Sequence, residues 1–242
     1  MLKNRLIASA SRPPFIQGPE PYPSDALISH YARKAEAASI VTCTCFNPLP
    51  LVESPQIKPT LFDYMQKTSR VNGTHISNVN IYNGQCQHYI SKMVDAIHFF
   101  GSKASLFVIP EFPRGYDVST GIPSIPGPDG PNAGSTGRET PVELLEEIAD
   151  DYALQALVAK KDMGFDMAFL HMAYRGFLPA RFLSPLTNKR SDEFGGSLEN
   201  RVRFPLMICD RIKEVCGQDF LIEVCISGID PDPDGWTMED TI

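Results

Sequence analysis

The sequence lacks most of what would tie it to a membrane, a metal or a nucleic acid. No run approaches the roughly 18–20 uninterrupted apolar residues of a membrane span, so no membrane association is expected. The apolar run after the basic start, Leu6 to Ala10, is too short and too rich in Ser and Ala for a leader peptide. A cytoplasmic location is therefore expected. Basic residues are outnumbered, 22 Lys and Arg against 29 Asp and Glu, for a net charge of −7. Nucleic acid wants the opposite balance, so none is expected as a partner. The six cysteines, at 43, 45, 86, 209, 216 and 225, include no C-x-x-C pair. That removes the zinc-knuckle and thioredoxin-like readings, and no metal site is expected. No G-x-G-x-x-G turn comes after the first apolar run, which counts against a dinucleotide-binding sheet.

What is present is an alternation of short apolar strands and amphipathic helices. Arg5 to Ser11, Ser39 to Phe46, Ala104 to Pro110, Met167 to His171 and Phe220 to Ser227 read as strands. Between them, Ser24 to Ala35 reads as a helix with Leu27, Tyr31 and Ala35 on one face. Lys92 to Phe100 is helical, and Asn72-Gly73 and Asn83-Gly84 are turn signals. Thr140, Pro141 and Glu143 open a helix as N-cap, first-turn Pro and capping-box Glu. That helix buries Leu145, Ile148, Tyr152, Ala156, Ala159 and Met163, and Gly164 ends it. Leu198 to Cys216 is one further helix, with Val202, Ile208, Ile212 and Val215 inward and a bend near Pro205. Thr237 caps a last helix. Residues 110–138 are rich in Pro and Gly and read as a long loop or lid.

Strand–helix alternation of this kind predicts a parallel α/β architecture. A barrel and a doubly wound sheet both satisfy it.

The segment FLSPLTNKRSDEFGGSLENR, Phe182 to Arg201, is the most specific in the chain. It resembles the loop after the fourth strand in Old Yellow Enzyme relatives, particularly 2-enoate reductases and dienoyl-CoA reductases. GFDMAFLH, Gly164 to His171, resembles that family's fourth strand, and Leu2-Lys-Asn-Arg5 resembles its opening. The Thr140 helix and Gly235-Trp-Thr-Met-Glu-Asp240 fall in family order. The resemblance implies a (β/α)₈ TIM barrel, here incomplete, with about strands 1–5 in a partial domain over residues 1–242. It also implies FMN at the carboxyl ends of the strands, NAD(P)H as electron donor, and hydride transfer to an alkene conjugated to a carbonyl. The iron–sulfur motif of larger relatives is not in the chain. A small-molecule substrate is implied. Open sheet edges point to an oligomer or a complementing C-terminal half-barrel as partner.

By the same resemblance, His171 is the first donor to the substrate carbonyl. Tyr174, three residues on, is a second donor, a proton source, or both. Arg175 is positioned to pair with an acidic substrate group. The flavin-facing positions are Ser9, Ala10, Ser11, Cys43, Phe107 and Cys225. Two depart from the family: Phe107 stands where a Gln meets the flavin ring edge, and Cys225 where an Arg sits near flavin N1. Asn188, Arg190, Asp192, Gly195 and Gly196 are expected to shape their loop. Cys43 and Cys45 are expected to pack in the core, and His30, His75, His88 and His98 to have no constellation around them. The rival reading is a non-catalytic partial barrel that no longer binds flavin.

Overall fold

The computed structural model describes residues 2–11, 22–44, 81–109, 116–122 and 137–242. The Asn72-Gly73 turn, Cys45, His75 and most of 110–138 lie outside them. The chain forms two compact units. The first comprises Met1–Ile109, Gln155–Phe169 and Asp219–Leu221, and the second Pro110–Leu154, Leu170–Gln218 and Ile222–Ile242.

The first unit is built on β1 (Ile7–Ala8), β2 (Ile40–Cys43), β3 (Lys103–Phe107) and the first half of β6 (Met167–Met172), with β7 (Leu221–Ile226) entering at its first residue. The strand order is β1-β2-β3-β6-β7. Ile7 pairs with Ile40, Val41 with Ala104, and Leu106 with Ala168, all in parallel. This is the strand–helix progression of a (β/α)₈ barrel, over five of its strands. All four residues of β2 are buried, as an interior parallel strand requires. The strands at the ends of the order differ. Ile7 on β1 is 55% exposed, and Leu221, Val224 and Ile226 on β7 are exposed too.

α1 (Asp25–Ala37) is capped by the Ser24 hydroxyl, which accepts from the Leu27 N–H, and buries Leu27, Tyr31 and Ala35 as the spacing predicts. α2 (Gly84–Phe99) starts eight residues earlier than the sequence suggests. Asn83, expected in a turn, is its N-cap: Oδ1 accepts from the N–H groups of Gln85 and Cys86. His98 on α2 is not isolated. Its Nε2 lies 2.7 Å from Asp166 Oδ2, and Asp166 also accepts from Lys103 Nζ and the Ala104 N–H. Burial pushes the Asp166 carboxyl up, but these donors outweigh it and hold it below its ordinary value.

α3 (Val142–Met163) carries the expected stripe, every member of it buried. Gly164 ends it with φ +80°. The helix opens later than the capping motif predicts, because the Thr140 hydroxyl donates to the Asp117 carbonyl instead (2.6 Å).

In the second unit, β4 (Tyr116–Asp117), inside the 110–138 stretch expected as a lid, pairs in parallel with β5 (Arg138–Glu139) at the end of that stretch. Its described part is anchored: Val118 is fully buried, and the Ser119 hydroxyl donates to the Thr187 carbonyl. α4 (Leu178–Leu183) comes after β6. The single helix expected over Leu198 to Cys216 is two, α5 (Leu198–Arg201) and α6 (Arg203–Cys216), separated at Val202. Pro205 has no N–H to give the Arg201 carbonyl and its ring crowds that carbonyl, so the break falls one turn ahead of it. Val215 does not face inward and is 44% exposed. α7 (Met238–Thr241) has a full capping box between Thr237 and Asp240.

A buried ion pair underlies β4. Asp117 is fully buried, its Oδ1 lies 2.9 Å from Arg181 Nε, and its Oδ2 has no hydrogen-bond partner. Burial raises the Asp117 carboxyl to about 6, against the opposing Val118 N–H and Arg181 guanidinium. The folded state thus holds a proton that the unfolded chain releases near pH 4. Stability from this group is full below the unfolded value and is lost as pH rises through about 6. The shift corresponds to about 3 kcal/mol. Thermal unfolding of the parent should show this decline between pH 4 and pH 7, and Asp117→Asn should flatten it. Equal slopes for the two proteins would refute the assignment.

Candidate active site

β6 carries the most specific candidate. Of its six residues, His171 is the one not fully buried. Its Nδ1 accepts from the Ala173 N–H (3.4 Å), which leaves Nε2 to carry the proton of the neutral ring. Burial holds the imidazole below its ordinary value, so the neutral form is the one present near pH 7. The ring sits between two aromatics, 4.7 Å from Tyr174 at 77° and 4.9 Å from Phe177.

The turn after β6 has no signal in the residue pattern. Tyr174 and Arg175 are both left-handed, with φ +45° and +55°. L-residues resist that region by roughly 1–2 kcal/mol each, so something must hold them. The Tyr174 N–H donates to Ser227 Oγ (2.8 Å), from the end of β7, and the Gly176 N–H donates back to the Ala173 carbonyl. A Cβ on Gly176 would fall 2.5 Å from Tyr174 Cε2, so a larger residue there would displace the exposed Tyr174 ring. The turn leaves the Tyr174 side of the pair 67% exposed.

Arg175 Nε lies 3.7 Å from Asp230 Oδ1. Asp230 is 7% exposed, and its Oδ2 accepts from the Ser184 hydroxyl and the Trp236 N–H. A cavity of about 10 Å³ is lined here by Tyr174, Arg175, Ser184, Ser227, Asp230 and Trp236, which is at the lower limit for one water. His171 does not line it. His171 and Tyr174 are therefore in ring contact without sharing this cavity. Ser227 and Asp230 contact the candidate residues Tyr174 and Arg175, a pairing that sequence reasoning misses. The turn-forming run Asp230-Pro-Asp-Pro-Asp-Gly235 signals a tight loop, but not its partner.

The FLSPLTNKRSDEFGG loop is shaped as the sequence predicts. Asn188 Nδ2 donates to the Phe182 and Phe194 carbonyls. Arg190, 5% exposed, donates to the Val118 and Thr140 carbonyls and to Asp192. A Cβ on Gly195 would meet the Arg190 carbonyl oxygen at 2.2 Å, and Gly196 is left-handed at φ +84°.

The flavin-facing candidates fall on both units. In the first, Lys34 Nζ donates to the Ser9 carbonyl and to Ser11 Oγ, and Tyr31 bridges the Ser11 carbonyl and the Thr44 N–H. Ala10 is half-buried. Cys43 is fully buried and its thiol is pushed far up by desolvation. Phe107 packs edge-on against Phe169 at 5.0 Å. In the second unit, Cys225 is half-buried, and burial raises its thiol too. Among the described residues no group of three or more His, Cys, Asp or Glu is placed to hold a metal ion, and no helix is long and apolar enough to cross a membrane.

Parallel strands in sequential order, with polar side chains gathered just past β6 and β7, define an α/β protein of barrel type. Residues 63–242 match the family described as NADH:flavin oxidoreductase / NADH oxidase. The chain is 35% identical over 155 residues to an NADH oxidase of Thermoanaerobacter brockii, covering 62% of this chain and 23% of that protein. It is 35% identical over 143 residues to a cinnamate reductase of Clostridium sporogenes, covering 55% of this chain and 21% of that protein. The structure of Old Yellow Enzyme from Pichia sp. AKU4542 superimposes with a TM-score of 0.64 at 23% identity, over 92% of this chain and 56% of that one. The chain belongs to the NADH:flavin oxidoreductase / NADH oxidase family. The matched part is about a fifth of the length of these curated relatives.

The family implies a flavin, and the candidate residues meet it only in part. Small residues at Ser9 to Ser11 and the apolar Phe107 suit the face of a flat ring. Its polar edge needs hydrogen-bond donors and a cation. Cys43 and Cys225 are neutral thiols and Phe107 has no donor, so this set does not fit that edge.

Proposed function

We propose that this chain is an ene-reductase-type module that reduces a C=C bond conjugated to a carbonyl, with FMN as cofactor and NAD(P)H as electron donor. The observation that carries the reading is the ring contact of His171 and Tyr174 at the end of β6. Reduction of such a bond develops negative charge on the carbonyl oxygen. The Nε2–H of neutral His171 is a donor for that oxygen, and a donor already in place lowers the barrier by about 3 kcal/mol. The Tyr174 hydroxyl is the second donor, the proton source for the α-carbon, or both. Arg175 pairs with an acidic group on the substrate. The name of the Clostridium sporogenes relative, a cinnamate reductase, supports a carboxylate-bearing alkene over a neutral enone.

The test is NADH oxidation by the purified chain with FMN in excess, with and without an enoate such as crotonate. Stimulation by the enoate is the expected result. A chain that leaves NADH untouched under both conditions is the non-catalytic partial barrel instead. The misfit of Cys43, Phe107 and Cys225 to the flavin edge is what favours that second reading.

A further inference from the structure

We propose that Asp230 is a positioning residue that holds the Arg175 guanidinium ready for a carboxylate ligand. The proposal rests on the reading of Arg175 as the acceptor of an acidic substrate group, and it names what orients that side chain.

Arg175 sits in a left-handed turn with its side chain 37% exposed, so part of its length is not fixed by packing. It would give up about 2 kcal/mol of side-chain entropy on binding a ligand. Asp230 removes part of that cost. Its carboxylate approaches the guanidinium at Nε, 3.7 Å from Oδ1, as an ion pair, and the ligand carboxylate takes the two terminal nitrogens. Those two nitrogens form the fork that matches a carboxylate.

Asp230 is itself held on every side. Ser184 Oγ donates to Oδ2 at 2.8 Å and the Trp236 N–H at 3.1 Å, while the Asp230 N–H donates to the Trp236 carbonyl at 2.7 Å. Gly235 cannot carry a side chain, because a Cβ would stand 2.4 Å from Asp230 Cβ. A loop closed this tightly around one carboxylate fixes the direction from which it meets Arg175. With two donors already on Oδ2, part of the Asp230 charge is committed to its own loop. Anchoring of Arg175 therefore outweighs competition with an incoming anion.

Trp236 makes this directly measurable. It is the chain's one tryptophan, and it lines the same cavity as Arg175 and Asp230. Its fluorescence is titrated with crotonate and with crotonamide, the neutral analogue, in the parent and three variants. The parent should prefer the carboxylate. Arg175→Ala should erase the preference. Asp230→Asn, which keeps the side-chain volume and an acceptor for Ser184 and Trp236, should weaken crotonate by about tenfold and leave crotonamide unmoved. Asp230→Glu should recover part of the preference. Loss of the preference in Arg175→Ala without any change in Asp230→Asn overturns the positioning role. So does tighter crotonate binding by Asp230→Asn, which would make Asp230 a competitor. No preference in the parent, or no effect of Arg175→Ala, instead removes the underlying reading of Arg175. A variant that loses the carboxylate and the amide together has lost its fold at this loop, and Asp230→Glu then decides.

Discussion

Arg190→Ala is expected to lower the melting temperature by about 10 °C, a loss of about 3–5 kcal/mol. The size comes from what the side chain holds. One nitrogen of its guanidinium donates to two buried carbonyls, Val118 (3.0 Å) and Thr140 (2.8 Å), and the others grip Asp192. The charge lies 5.7 Å from the Phe182 ring centroid and 5.9 Å from that of Phe194. Truncation leaves the two buried carbonyls without this donor, at about 1–3 kcal/mol each. It also opens a cavity between the two rings, which adds to the loss. Arg203 is the control. It is half-exposed, and Arg203→Ala should cost no more than about 1 kcal/mol. Thermal unfolding monitored by circular dichroism compares the two. Equal shifts would mean that the FLSPLTNKRSDEFGG loop does not depend on Arg190.

His171→Ala should reduce the enoate-stimulated turnover by about 10²–10³-fold with little change in KM. The donor acts on charge that grows in the transition state, so its loss falls on kcat. The neutral, Nε2-protonated ring is the result of burial and of the Ala173 N–H on Nδ1. His171→Asn, which keeps an N–H donor, should recover part of the rate. Stability should change little, because the ring is not fully buried. A variant with parent-like turnover would remove His171 from the chemistry. One that loses turnover and fold together would make its role structural.

The features legible in the sequence are those that local periodicity and turn chemistry control. Leu27, Tyr31 and Ala35 share a helix face because four-residue spacing puts them there. Leu145 to Met163 do so over a longer helix. Gly164 and Gly196 take the left-handed backbone that glycine allows. The α5–α6 break has its cause in Pro205, and the expected bend lies only a few residues away from it. The helix over residues 84–99 is harder to read in full because its first turns, Gly84 to His88, are polar and lack a clear stripe. Val215 departs from the expected inward face because the buried stripe runs Phe204, Ile208, Ile212 and Cys216 at four-residue spacing, and Val215 falls beside it.

The site divides in the same way. His171 and the loop after it are legible as a sequence pattern, since their residue types and order are contiguous. The left-handed Tyr174 and Arg175 are not, because neither residue favours that backbone. A hydrogen bond to Ser227, 53 residues along the chain, holds Tyr174 there. Residue order alone settles which segments become strands and helices, where the glycine turns fall, and which family the chain resembles. It takes the folded molecule to show that Asp230 meets Arg175, that Asp117 is buried against Arg181, and that Arg190 is spent on distant carbonyls. Propensity acts over a few residues, whereas a buried charge takes its partner from whatever the folded chain brings within hydrogen-bonding reach.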